Sequence, residues 1–161
     1  MGSKYAVILD QDIVLPERDL LVSQAWGDAP VSYVQDQEIF NECSFLDLKV
    51  NKWQVNAQWS SRQGSEPWIR IEILKEQALE EYLQDEGHSL PIEVSHEILV
   101  VFELDEGGVG LDEILLLHLV SAFYKNRKVY RWCDDFKEVS EETFTTLPAQ
   151  HTIQERLLKC E

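Results

Sequence analysis

The side chains of this chain that could do chemistry are carboxylates, two histidines, one cysteine and a glycine-rich turn. Asp105 and Glu106 follow an apolar run, and Asp134-Asp135 follow Trp132-Cys133. If those two segment ends adjoined, their oxygens could converge on a hard divalent cation or line the carboxylate cleft of a small hydrolase-like enzyme. The calcium-loop spacing is absent, so a solvated pair of strand ends is the plainer expectation. Gly107, Gly108 and Gly110 stand where nucleotide-binding folds hold phosphate. The spacing is neither G-x-G-x-x-G nor the Walker pattern, and Asp105, Glu106, Asp112 and Glu113 would repel a phosphate there. A strand-to-helix turn is expected instead.

His96 interrupts an apolar strand pattern and His118 lies within an apolar helix pattern. Either could act as a general base or metal ligand, but no H-E-x-x-H spacing accompanies them. Both are expected to be structural histidines bonded to backbone or to a carboxylate. Cys133 has no nearby base to activate it and reads as a structural thiol. No catalytic residue, metal site or cofactor is assigned from these patterns.

The charge distribution is more informative than any motif. From Glu76 to Tyr124 there is no lysine or arginine, while Glu76, Glu80, Glu81, Asp85, Glu86, Glu93, Glu97, Glu103, Asp105, Glu106, Asp112 and Glu113 all fall there. The whole chain has 14 Lys and Arg against 30 Asp and Glu, a formal charge of −16. Such a field attracts cations and basic macromolecules. It disfavours nucleic acid, whose binding rests on Lys and Arg at phosphates, and it disfavours anionic membranes. Glu76, Glu80, Glu81, Asp85, Glu86, Glu103, Asp105 and Glu106 are the expected partner-binding patch. The expected partner is a basic protein, as for an immunity or antitoxin-type inhibitor, with homo-oligomerisation left open. Acidity serving solubility alone is the competing account.

A basic island follows at Lys125, Arg127, Lys128 and Arg131, expected to cap a helix and solvate a strand. Trp53, Trp59 and Trp68 are expected in the core, with a partner-binding patch as the alternative. Three cysteines, Cys43, Cys133 and Cys160, form no C-x-x-C pair and suit a reducing cytoplasm. No signal-like segment and no apolar run of membrane-spanning length occurs.

The elements that must position these residues follow from periodicity. Lys4 to Asp10 is a short buried strand; Pro16 and Gly27 bracket a helix with Leu20, Leu21, Gln24 and Ala25 on its apolar stripe. Val31 to Val34 reads as a strand, and 35–43 as a loop or short helix. Leu46, Leu48 and Val50 alternate, as do Trp53, Val55, Ala57 and Trp59, which predicts a β-hairpin turning at Asn51-Lys52. Ile69, Ile71 and Ile73 give a further strand. Ala78, Leu79, Tyr82 and Leu83 recur at helical spacing up to Gly87. Ile92 to Leu104 reads as a strand, 111–126 as a helix buried on more than one side, and Val129 to Cys133 as the closing strand of a β-α-β crossover. Ile153 to Leu158 is a short helix in a tail, 140–161, expected to be peripheral. The sum is one α+β domain over 1–161, with Met1–Ser3 read as an expression remnant. Its sheet should be mainly antiparallel, with two to four helices largely on one face.

Overall fold

The computed structural model describes residues 3–62, 66–86, 90–105, 110–124, 128–132 and 135–161; the side chains of Asp85, Glu86 and Tyr124 are outside the description. Seven strands form one sheet: β1 (Lys4–Asp10), β2 (Val31–Gln35), β3 (Phe45–Val50), β4 (Ile69–Leu74), β5 (Glu97–Leu104), β6 (Val129–Trp132) and β7 (Phe136–Glu138). Their order is β2-β3-β4-β5-β1-β6-β7, and every neighbouring pair is antiparallel. The helices are α1 (Arg18–Trp26), α2 (Lys52–Val55), α3 (Glu76–Glu86), α4 (Gly110–Tyr124), α5 (Glu142–Thr145) and α6 (Gln150–Lys159). The α+β class is therefore as the sequence implies. Among the described residues the α-helices number six rather than two to four, the two extra turns α2 and α5 being four residues each.

Alternation along the strands divides the core in two. Ile98, Val100, Phe102 and Leu104 of β5 face the larger layer, with Tyr5, Val7 and Leu9 of β1 and Ile69, Ile71 and Ile73 of β4. There they meet Leu21, Ala25 and Trp26 of α1 and Leu111, Leu115, Leu116, Leu119 and Val120 of α4. Leu99 and Val101 face the opposite side, where Ala6, Leu74, Tyr130 and Phe136 form a second cluster under Leu79 of α3. Among the described residues the helices thus lie largely on one face, as expected, with α3 alone on the other. The continuous apolar run 98–102 is the sequence trace of a central strand covered on both sides.

Strands β5 and β6 both run antiparallel to β1, so they are parallel to each other with β1 between them. Helix α4 makes the connection, which realises the β-α-β crossover in a split form. Its apolar residues surround the helix because it packs on α1, on α6 and on the sheet.

Two buried indoles tie the helical layer together. Trp26 Nε1 donates to the Leu115 carbonyl at 2.9 Å, and Trp59 Nε1 donates to the Leu157 carbonyl at 2.8 Å. Ile153, Leu157 and Cys160 are buried in the main core. Residues 140–161 are consequently not a peripheral tail; α6 closes the helical layer. Gln150, at the start of α6, donates from Nε2 to the Ser23 and Gln24 carbonyls at 3.1 Å, capping the end of α1. Gly27 ends α1 at φ 66°, in the left-handed region, and a Cβ there would meet the Gln150 and Gln154 side chains at 3.1 Å. The stripe expected on α1 is partly wrong: Leu21 and Ala25 are buried, but Leu20 is exposed.

The largest departure is at 52–61. No second hairpin strand forms; α2 is followed by a 3-10 segment, Ala57–Ser61, begun by Asn56, whose side chain accepts from the Gln58 N–H at 3.0 Å. Lys52, expected in a hairpin turn, is fully buried. Its ammonium lies 2.6 Å from Asp112 Oδ1 in the first turn of α4 and 4.8 Å from the Trp59 ring centroid. The Lys52 and Asp112 side chains are 1% and 3% exposed. A buried charge without its counter-ion is costly, so this pair fixes where α2 and α4 meet.

Asp112→Ala should therefore destabilise the protein by about 3–5 kcal/mol in urea unfolding at neutral pH. The double variant Lys52→Met, Asp112→Leu should recover most of that loss, because it removes both charges and keeps the volume. A single-variant cost under about 1 kcal/mol would show that the pair does not organise the layer.

Candidate functional site

The expected acidic patch divides over two places. Glu76, Glu80 and Glu81 are exposed on the outer side of α3. Among the described residues, none of the three is held in an ion pair; Glu81 Oε1 accepts from Gln77 Nε2 at 3.2 Å. Helix α3 has its apolar residues Leu79, Tyr82 and Leu83 turned to the sheet, and that spacing sends the glutamates outward. An open hollow of about 810 Å³ runs beside it, lined by Gln11, Glu76, Gln77, Glu80, Val94 and Ser95. Asp85 and Glu86 continue the same helix, and their side chains lie outside the description.

Glu103 and Asp105 stand at the other end of β5. With Val34, Asp47, Trp68 and Arg70 they line a cleft of about 330 Å³ on the half of the sheet that α3 leaves open. Arg70 is forked onto Asp47, with Nε–Oδ1 and Nη2–Oδ2 both at 2.8 Å. That hydrogen bond, with the Asp47, Glu72 and Asp105 charges, holds its guanidinium above the ordinary arginine range. This second place is acidic but carries its own cation. Lys4, opposite Glu103 in the β1 register, holds its ammonium 5.6 Å from the Tyr82 ring of α3 and 5.7 Å from the Trp132 ring. Glu106 is outside the described residues.

Asp112 and Glu113 do not join the outer field. Asp112 is buried on Lys52, and Glu113 accepts from Ser3 Oγ at 2.5 Å and from the Tyr5 hydroxyl at 3.1 Å. No sequence signal distinguished these two acids, because their partners are 60 or more residues away in the chain.

The ends of β5 and β6 lie at the same end of the sheet, separated by β1: Lys4 pairs with Glu103 and Tyr5 with Arg131. The last residues of the two strands, Leu104 and Trp132, are thus about two strand spacings apart, roughly 10 Å. Asp135 Oδ1 accepts from the Phe136 N–H at 2.8 Å. Glu106, Cys133 and Asp134 are outside the described residues, as are Gly107 and Gly108. Among the described residues no three His, Cys, Asp or Glu side chains gather as a metal set would require.

His96 is not on a strand. Residues 92–96 precede β5 in irregular and turn conformation, and His96 is exposed, its carbonyl accepting from the Gln11 N–H at 2.9 Å. The apolar alternation through Ile92 and Val94 belongs instead to the loop packed near the α3 cluster. His118 Nε2 meets the Pro148 carbonyl at 2.8 Å, so that nitrogen carries the proton and donates. Trp59 is in the core, Trp68 is half-buried, and Trp53 is half-exposed on α2. Lys125 and Arg127 lie outside the described residues; Lys128 and Arg131 are exposed, with Lys128 3.8 Å from Glu138.

Comparison with protein-family models, with curated proteins and with solved structures gives no match.

Asp36 shapes the connection from β2 to β3. Its carboxylate accepts from Ser44 Oγ at 2.5 Å, the Ser44 N–H at 2.9 Å and the Phe45 N–H at 3.3 Å. The Ser44 hydroxyl bond is the main reason its carboxyl sits below the usual carboxylate range. A lowered folded-state value adds stability above the unfolded pKa, and that increment disappears as pH falls through the folded value. Asp36→Asn should lower the urea midpoint at pH 7, and the gap from wild type should close as pH falls below the usual carboxylate range. A gap that is unchanged by acid would assign the loss to side-chain shape, not charge.

Proposed function

We propose that this chain is a binding protein that neutralises a basic protein partner through α3, in the manner of an immunity or antitoxin-type inhibitor. Glu76, Glu80 and Glu81 carry the contact with the hollow beside them, and Asp85 and Glu86 follow on the same helix. Glu103 and Asp105, in the separate cleft beside Arg70, are a secondary acidic place for the same partner. The supporting observation is that three exposed carboxylates stand on one helix, in a segment without lysine or arginine.

The physical role of such a face is mainly kinetic. Complementary charge raises association rates by 10-fold to 1,000-fold, and the gain falls steeply with ionic strength. The apolar side of α3 is packed on the sheet, so the helix is a rigid carrier whose outer charges need no reorganisation to meet a partner. Among the described residues no helix is long and apolar enough to cross a membrane. Cys43 and Cys160 are free and buried, which suits the reducing cytoplasm we assign to this protein.

Affinity capture from a native lysate at low salt, with elution by a salt gradient, tests this function. Wild type should retain a basic protein that the variant E76Q/E80Q/E81Q loses. The control E17Q/E42Q/E141Q, with the same change in net charge, should retain it. Equal loss in both variants would mean that diffuse charge, not α3, is responsible. Retention by both, or no basic protein held by wild type, would reject a neutralising role for this helix.

A further inference from the structure

The two edges of the sheet are built differently. Strand β7 has three residues, two of them the exposed charges Lys137 and Glu138. Short length and charge are the usual protections of a sheet edge. Strand β2 ends the other side with Val31-Ser32-Tyr33-Val34-Gln35, which contains no charge, proline or glycine. Its five residues pair with β3 from Val31↔Val50 to Gln35↔Leu46 in unbroken register, so no bulge twists the edge away. Among the described residues no strand pairs with its outer side. Tyr33 and Val34 are neighbours on opposite faces of the strand, yet each is 50% exposed. That is the exposure of side chains lacking a cross-strand neighbour on one side.

We infer that β2 pairs antiparallel with β2 of a second copy of this chain, joining the two sheets into one across a two-fold axis at Tyr33. Charge selects a second copy as the occupant. In a molecule of −16, most surfaces would bring acids against acids on self-association. The β2 edge does not. A two-fold at Tyr33 sets the Tyr33 rings opposite each other, Ser32 opposite Val34 and Val31 opposite Gln35, with no charge in the ladder. On one face the Arg18 guanidinium stacks 3.5 Å from the Tyr33 ring centroid while pairing with Asp19 at 3.2 Å. On the other face Lys49 lies beside Ser32 in the β3 register and pairs with Glu66 at 3.7 Å. Ion pairs of no net charge therefore flank the neutral strand on both sides of the sheet, so the ladder adds no charge repulsion of its own between two anionic copies.

A five-residue strand pair buries little area, which places the dimer among weak, concentration-dependent associations. Sedimentation equilibrium from about 10 µM to about 1 mM covers that range. It should be run at about 1 M salt, where the Debye length is about 3 Å and net repulsion is screened. The average mass of wild type should rise from 18.7 kDa towards twice that value. Val34→Lys, on the open face of the strand, should remain monomeric throughout while keeping its circular dichroism spectrum. Lys137→Glu, on the opposite edge, should dimerise like wild type. Tyr33→Cys should form a disulfide between copies under mild oxidation, above the background of the unsubstituted chain. This readout remains available should Val34→Lys fail to fold. A constant monomer mass at the highest concentration would overturn the inference. So would a dimer insensitive to Val34→Lys but lost in Lys137→Glu, or an unrelated extended peptide binding β2 of a monomeric wild type.

Discussion

One buried ion pair governs how the helical layer meets the sheet. Lys52 and Asp112 are almost completely enclosed, and neither charge could remain there without the other. Lys52 begins α2, directly after β3, and Asp112 begins α4, directly after the segment that leaves β5. The pair therefore locks the end of one strand to the start of the most apolar helix. Trp59 covers the ammonium and reaches the Leu157 carbonyl, so the same contact extends to α6. Four separate stretches of chain are registered by one charge-charge contact and one indole.

This contact also explains where the sequence was readable and where it was not. Strands β3, β4 and β5 and helices α3 and α4 declare themselves through periodicity, since each has one or two faces in the core. Trp53, Val55, Ala57 and Trp59 alternate just as a strand would, yet form helical turns. The deciding partners are Asp112 and Leu157, far away in the chain, and no local pattern encodes them. Tertiary contacts override propensity most easily in short segments. The same reason hides the core role of 140–161: Ile153 and Leu157 have modest helical spacing, and only the space beside α4 reveals that they fill it. His96 was misplaced because Ile92 and Val94 alternate like strand residues while packing as a loop beside α3.

The acidic segment was legible as charge but not as geometry. Counting carboxylates between Lys75 and Lys125 treats Glu80 and Asp112 alike. In the fold, Glu80 faces water and Asp112 neutralises a buried lysine. Glu113 is turned to Ser3 and Tyr5, and Asp105 shares a cleft with Arg70. Helical periodicity separates the outward glutamates of α3 from its inward apolar residues, so that part of the site follows from sequence. The inward acids of α4 carry no comparable signature, because a first-turn acid on an exposed helix end would look the same.

The split crossover has a consequence for how the molecule is made. Val7 sits between Val100 and Val129, so β1 has no partner on either side until much later parts of the chain exist. During synthesis, at about 5–20 residues per second, β1 must wait several seconds before β5 and then β6 arrive. Until then its apolar residues on both faces are open to other chains, and closure of the sheet depends on pairings of long sequence separation, which form slowly. A strand that ends up hydrogen-bonded on both sides is thus the one that spends longest unprotected on the ribosome.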